Sequence, residues 1–228
     1  MAQRPVVLWD LDGTVLDPVG AITEGMAEAL WTCGFEAPEN LDRFVGPPIG
    51  ESLRRFTDVP EEMIAQVVSV YRAGYLTEGL ERTRVYPGIL PVLEQLRDAG
   101  VRQAVATQKP EHIATEVVAR FDLAPYFETV SGAADDLVPP RGGCGQVHDK
   151  PAIIGEALRR LGALPPDPAH TVMVGDRSYD ADGARSHGLD CLGVAWGFAG
   201  PGELEQGCAA VAGEPGDLAH LLRRYTEH

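Results

Sequence analysis

Val6-Val7-Leu8-Trp9-Asp10-Leu11-Asp12-Gly13-Thr14 joins four consecutive apolar residues to two aspartates, a glycine and a threonine. A short, wholly apolar run that includes β-branched residues predicts a strand buried on both faces, as in a parallel sheet. Asp10 and Asp12 are two residues apart, so in an extended chain both side chains point to one side. Two carboxylates that close repel one another unless a cation or a shared proton intervenes. Gly13 permits a turn that exposes backbone amides, and Thr14 can cap the next turn of chain, which together make a nest suited to an anion.

Outward from this segment, apolar runs alternate with amphipathic stretches, the pattern of an open α/β sheet covered by helices. Further strands are expected at Val101 to Ala106, Phe127 to Val130, Thr171 to Val174 and Leu189 to Val194. Helices are expected at Ile89 to Ala99, Glu111 to Arg120, Pro151 to Leu161 and Tyr179 to Ser186, several of them stopped by glycines such as Gly100, Gly162 and Gly188. The alternation is interrupted once. From about Pro18 to Arg84 only helical periodicity is present, at Ala21 to Trp31, Gly50 to Phe56 and Glu61 to Leu80. The expected division is therefore a core of residues 1–16 and 85–228 with a helical insertion at 17–84, placed where it can cover a site at the sheet edge. Residues 135–146, rich in proline and glycine, read as a loop.

Three apolar runs end on a polar residue: Asp10, Thr107 and Asp176. In an open parallel sheet the carboxyl ends of the strands line one crevice, so these residues can converge although they are far apart in the chain. Gly175-Asp176-Arg177-Ser178-Tyr179-Asp180-Ala181-Asp182-Gly183 adds more acids there. Hard oxygen ligands of this kind suit magnesium, whereas Asp182 reads as a helix cap. Lys150 opens an expected helix, where a cation opposes the helix dipole, and offsetting the charge of a phosphate would explain its position. A carboxylate nucleophile, a second carboxyl group for proton transfer, a divalent metal and an anion nest together make phosphoryl transfer through an aspartyl phosphate coherent.

Composition narrows the alternatives. The 228 residues carry a formal charge of −15, which argues against nucleic-acid binding, since a polyanion needs a concentrated positive field. No apolar run approaches the roughly 20 residues that span a bilayer, and the short apolar run near Met1 is unlike a signal peptide, so no membrane association and a cytoplasmic location are expected. Cys33, Cys144, Cys191 and Cys208 lack redox or zinc spacing and read as reduced thiols. Of 19 cationic residues only Lys109 and Lys150 are lysines, so any role that needs an amine has two candidates.

With Asp10-Leu11-Asp12-Gly13-Thr14, then Thr107, then Lys150, then Gly175-Asp176 with Asp180, the chain resembles the haloacid dehalogenase superfamily over nearly its whole length. The appearance of Gly175 to Asp180 is that of the phosphoglycolate-phosphatase-like branch. The resemblance implies a Rossmann-like core with a helical C1 cap. Asp10 is implied as nucleophile and magnesium ligand; Asp12 as general acid and base, with its backbone carbonyl on magnesium. Gly13, Thr107 and the amide of Gln108 are implied to hold the phosphoryl group, Lys150 to offset its charge, Asp176 to bind magnesium, and Asp180 to orient metal-bound water or Lys150. Gln108 departs from the serine or asparagine common at that place, but an amide acts regardless of its side chain. Asp12 argues against dehalogenation, which has no leaving group to protonate. The absence of lysine between Asp17 and Arg84 argues against phosphonatase imine chemistry. A sugar phosphomutase and a catalytically silent binding protein stand as alternatives to hydrolysis of a small phosphomonoester such as phosphoglycolate or a sugar or nucleoside monophosphate. Selectivity is expected from the cap, with Gly46 in the loop Phe44 to Glu51 and Arg43, Arg54 and Arg55 flanking it as candidates for a second anionic group. The expected assembly is a monomer or homodimer.

Overall fold

The computed structural model describes residues 4–18, 20–135 and 149–227. Most of the loop expected at 135–146, and Cys144 with it, lies outside the described residues. The elements run β1 (Val6–Trp9), β2 (Leu16–Asp17), α1 (Thr23–Thr32), α2 (Ile49–Phe56), α3 (Glu61–Gly74), α4 (Leu80–Arg82), β3 (Arg84–Val85), α5 (Ile89–Asp98), β4 (Arg102–Pro110), α6 (Glu111–Arg120), β5 (Thr129–Ala133), α7 (Lys150–Arg160), β6 (Thr171–Gly175), α8 (Ser178–Ser186), β7 (Asp190–Val194), β8 (Ala210–Ala212) and α9 (Pro215–Thr226). Six strands form one sheet in the order β5-β4-β1-β6-β7-β8, and every pairing in it is parallel. The fold is the expected α/β class.

Alternation along β1 divides the core. Val7 and Trp9 face a cluster shared with residues of α5, α6 and α9, such as Leu93, Val117 and Leu222. Val6 and Leu8 face a second cluster with Ile154 and Leu158 of α7 and Ala181 and Ala184 of α8. Because β1 lies between β4 and β6, its carboxyl end abuts the ends of both neighbours, Trp9 being level with Val105 and Val174. The order of strands reverses there, so Asp10 is delivered to the switch point of the sheet.

Beyond β1 the chain folds tightly back: the carbonyl of Leu11 accepts the amides of Thr14, Val15 and Leu16 at 2.8–3.3 Å. The chain then enters an antiparallel ribbon in which Leu16 and Asp17 pair with Val85 and Arg84. Only helices and turns occur between the two ribbon strands among the described residues. The ribbon was not expected from sequence, since two residues give no periodicity to read. The expected helix Glu61 to Leu80 is broken: α3 stops at Gly74, a π-helical turn spans Tyr75–Gly79, and α4 completes it. The wider turn accommodates an extra residue and leaves Tyr75 buried.

Other departures have local causes. β5 begins later than expected because a 3-10 turn at Ala124–Tyr126 precedes it, and it runs into the small residues Ser131, Gly132 and Ala133. β8 is too short and alanine-rich to read as a strand. Helix α9 does carry apolar residues at helical spacing, Leu218, Leu222 and Tyr225, but begins Pro-Gly-Asp, which reads as a turn.

The indole of Trp9, buried under the sheet, donates to Gln103 Oε1 at 3.1 Å, and Gln103 Nε2 donates to the Leu93 carbonyl at 3.0 Å. Replacing Gln103 by leucine keeps the bulk but orphans the indole N–H, a loss of about 1–3 kcal/mol. Denaturant unfolding followed by circular dichroism should show that loss, with much of it recovered in a Trp9→Phe, Gln103→Leu double variant; a cost below about 0.5 kcal/mol would show that the bond is not holding the sheet to α5.

Candidate active site

Continuing the alternation of β1 places Asp10 on the side of Leu8, where α7 begins. Lys150, the first residue of α7, is buried and reaches Asp10 Oδ1 at 2.7 Å and Asp180 Oδ1 at 2.6 Å. This is why a lysine stands at a helix N-terminus: two carboxylates outweigh the unfavourable dipole. The helix itself is capped by Asp149, which accepts the Ala152 amide at 3.1 Å.

Asp176 follows β6 and is fully buried. It accepts the Phe198 amide at 2.8 Å on one oxygen and the Thr14 hydroxyl at 3.3 Å on the other. Thr14 therefore acts across the loop on Asp176, where a helix cap was the expectation. Gly13 has φ of +88°, and a Cβ there would stand 2.2 Å from Asp176 Oδ2, so only glycine lets the two loops meet. Asp180 Oδ2 accepts the Arg177 amide at 3.1 Å, which makes Asp180 the capping residue of α8. Asp182, expected to cap, is instead exposed and paired with Arg185 at 2.7 Å.

Ligand oxygens of Asp10, Asp176 and Asp180 lie within 4.8 Å of one another. Three buried carboxylates against one ammonium leave negative charge unmatched. Burial, then the fields of Asp10 and Asp180, raise the Asp176 pKa well above the ordinary carboxylate value, and burial with the field of Asp10 pushes Asp180 up to about 6 although Lys150 opposes this. For Lys150 burial works against the charged form, but Asp10 and Asp180 prevail and its pKa lies above the usual lysine value. An all-oxygen cluster with this charge fits a hard divalent cation.

The Asp12 carboxylate takes no part in that cluster. Its Oδ2 lies 2.6 Å from the Nζ of Lys109, also buried, while Oδ1 is buried without a hydrogen-bond partner. Burial raises the Asp12 pKa, with Lys109 opposing. Lys109 in turn sits 4.3 Å above the ring of Tyr75 in the π-helical turn. In the sequence Lys109 stands out as one of two lysines but carries no assigned role; the available signal was its place two residues beyond Thr107, on the same strand end. Thr107 is buried and accepts the Lys109 amide at 3.3 Å.

Beside Asp12 opens a cleft that communicates with solvent. Gln108 and Lys109 line it from the sheet side, and Gly46, Tyr71, Arg72 and Tyr75 from the helical segment. The loop carrying Gly46 is tied down over the site by Arg177, which donates to the Val45 carbonyl at 2.5 Å and pairs with Glu203 at 3.0 Å. Arg72 pairs with Asp135 across the cavity rim. The expected selectivity arginines lie elsewhere: Arg54 pairs with Glu61 at 2.6 Å on the exposed surface, and Arg43 and Arg55 lie over the Phe56 ring.

Residues 7–194 match the family model described as "Haloacid dehalogenase-like hydrolase". The chain is 37% identical over 195 residues to "Tyrosine-protein kinase PtkA" of Mycobacterium tuberculosis, a match covering 85% of this chain and 62% of that protein, so the chain spans under two thirds of that relative. It is 33% identical over 204 residues to a "5'-nucleotidase" of Pseudomonas aeruginosa, covering 89% and 87% of the two chains. The crystal structure of a predicted phosphatase from Clostridium acetobutylicum superimposes with a TM-score of 0.85 at 29% identity, covering 97% of this chain and 99% of that one. Phosphoglycolate phosphatases stand among further relatives. Motifs, sheet and comparisons agree: the chain belongs to the haloacid dehalogenase-like hydrolase family.

Proposed function

We propose that this chain hydrolyses a small phosphomonoester through an aspartyl phosphate on Asp10, with magnesium as cofactor and residues 17–84 as a cap over the site. The observation that carries this reading is the separation of two aspartates two residues apart. Asp10 is held by Lys150 in the carboxylate cluster, while Asp12 is turned to Lys109 and lines the cavity. Two carboxyl groups in environments that differ this much are suited to different roles.

Asp10 attacks phosphorus with a carboxylate oxygen and the ester bond breaks. Lys150 offsets the charge gathered on the phosphoryl oxygens, and Thr107 with the Gln108 amide holds them. Asp12, whose burial favours the protonated form, gives its proton to the departing alcohol oxygen. Lys109 steadies the carboxylate so formed. Asp12 then takes a proton from water as the water attacks phosphorus, releasing phosphate and restoring Asp10. Asp10, Asp176 and the Asp12 carbonyl would hold magnesium, with Asp180 beside them; when bound, the ion neutralises the cluster and the phosphate oxygens. Transfer of the phosphoryl group to a second alcohol, as in a mutase, would yield product without free phosphate.

Phosphate release from a panel of monoesters should require magnesium, and Asp10→Asn should lower kcat at least about a thousandfold. Full activity in that variant excludes Asp10 as nucleophile.

The cluster also sets a pH dependence. Asp180 has a folded pKa of about 6 against an ordinary 3.8, so its favourable contribution is present at low pH and lost as pH rises through about 6. Asp176 shifts in the same direction. The Tm of chelator-treated protein should therefore fall from about pH 4 to just above pH 6, and magnesium should restore it at the upper end of that range. Asp176→Asn should flatten the metal-free profile and abolish the magnesium response; a variant that still gains Tm from magnesium would remove Asp176 from the metal site.

A further inference from the structure

We propose, building on the phosphatase reading above, that the leaving group of the substrate is an uncharged alcohol bearing a planar ring, and not a small carboxylate such as glycolate. Asp12, the proposed acid, lines the cavity, so the rest of the departing alcohol must lie there.

The walls select for flat apolar surface. Phe44, Tyr71 and Tyr75 contribute aromatic side chains, and Pro47, Pro48 and Pro110 contribute rigid rings. Such surfaces suit stacking or edge contact with a planar group.

The charges select against a second anion. The cations lining the cavity among the described residues are Arg72 and Lys109; Arg72 pairs with Asp135, and Lys109 is required to balance the Asp12 carboxylate formed as the alcohol leaves. The side chains of both are largely shielded, 10% and 7% exposed. Among the described residues, a carboxylate on the leaving group would have to be desolvated beside apolar walls or compete with Asp135 for Arg72 and with Asp12 for Lys109. An uncharged ring does neither. Arg43, Arg54 and Arg55 do not line the cavity and supply no substitute.

Nucleoside 5′-monophosphates and simple aryl phosphates both present this chemistry, and the assay separates them. With the full chain and magnesium, kcat/KM is measured for uridine and adenosine 5′-monophosphates, phenyl phosphate and phosphoglycolate. The expected result is that at least one ring-bearing ester exceeds phosphoglycolate by a hundredfold or more; the nucleotide and phenyl arms identify which source of the ring is preferred. Ala134→Trp, which fills the cavity, should reduce that ratio at least tenfold. Ile49→Arg, which adds the missing cation at the cavity wall, should shift preference toward phosphoglycolate by at least tenfold. Phosphoglycolate turned over as well as or better than every ring-bearing ester overturns the inference and leaves the phosphatase reading intact. No phosphate release from any ester overturns both.

Discussion

The Lys150 ammonium, buried among Asp10, Asp176 and Asp180, is the constraint on which the rest of the site depends. One cation against three carboxylates is an arrangement that no hydrophobic core would favour, since each buried charge carries a desolvation cost. It persists because three elements converge on it with little freedom. The end of β1 supplies Asp10, the first turn of α7 supplies Lys150, and the cap position of α8 fixes Asp180 through the Arg177 amide. Glycines complete the approach: side chains at Gly13, Gly175 or Gly197 would strike the carboxylates of Asp176 or Asp180. The surplus negative charge gives the site its demand for a divalent ion and a phosphate.

Around this centre the helical segment shares one apolar cluster with the sheet, and polar contacts add to it at the cavity. Arg177 holds the Val45 carbonyl, Arg72 holds Asp135, and Lys109 links Asp12 to the ring of Tyr75. Each of these touches the site or its rim. Lys109 is the most consequential, because it couples the proposed acid and base to the π-helical turn of the segment above it.

Much of this was legible before any coordinates. The β1 run and its aspartates, Asp176 after β6, Thr107 toward the carboxyl end of β4, and the isolated Lys150 depend on periodicity and on local charge, which a sequence displays directly. What was not legible depends on distance. Lys109 acts on a residue 97 positions earlier (109 − 12), and its neighbours in sequence reveal nothing of the buried partner. Arg43, Arg54 and Arg55 show how little proximity in sequence says about contact: beside the loop Phe44 to Glu51, they engage Glu61 and the Phe56 ring. Arg72 lay within an amphipathic helix, and only the fold reveals that it reaches the cavity. Thr14 shows that a cap assigned from spacing can lose to a distant partner, and Asp182 that it can lose to a neighbouring arginine.

That Asp10 carries the phosphoryl group is tested most directly by acid quenching during turnover, followed by borohydride reduction and peptide mass spectrometry. Substrate-dependent conversion of Asp10 to homoserine, the product of a reduced acyl phosphate, is the expected result. Phosphate release with Asp10 unmodified, or with the acyl phosphate on another carboxylate, would contradict it.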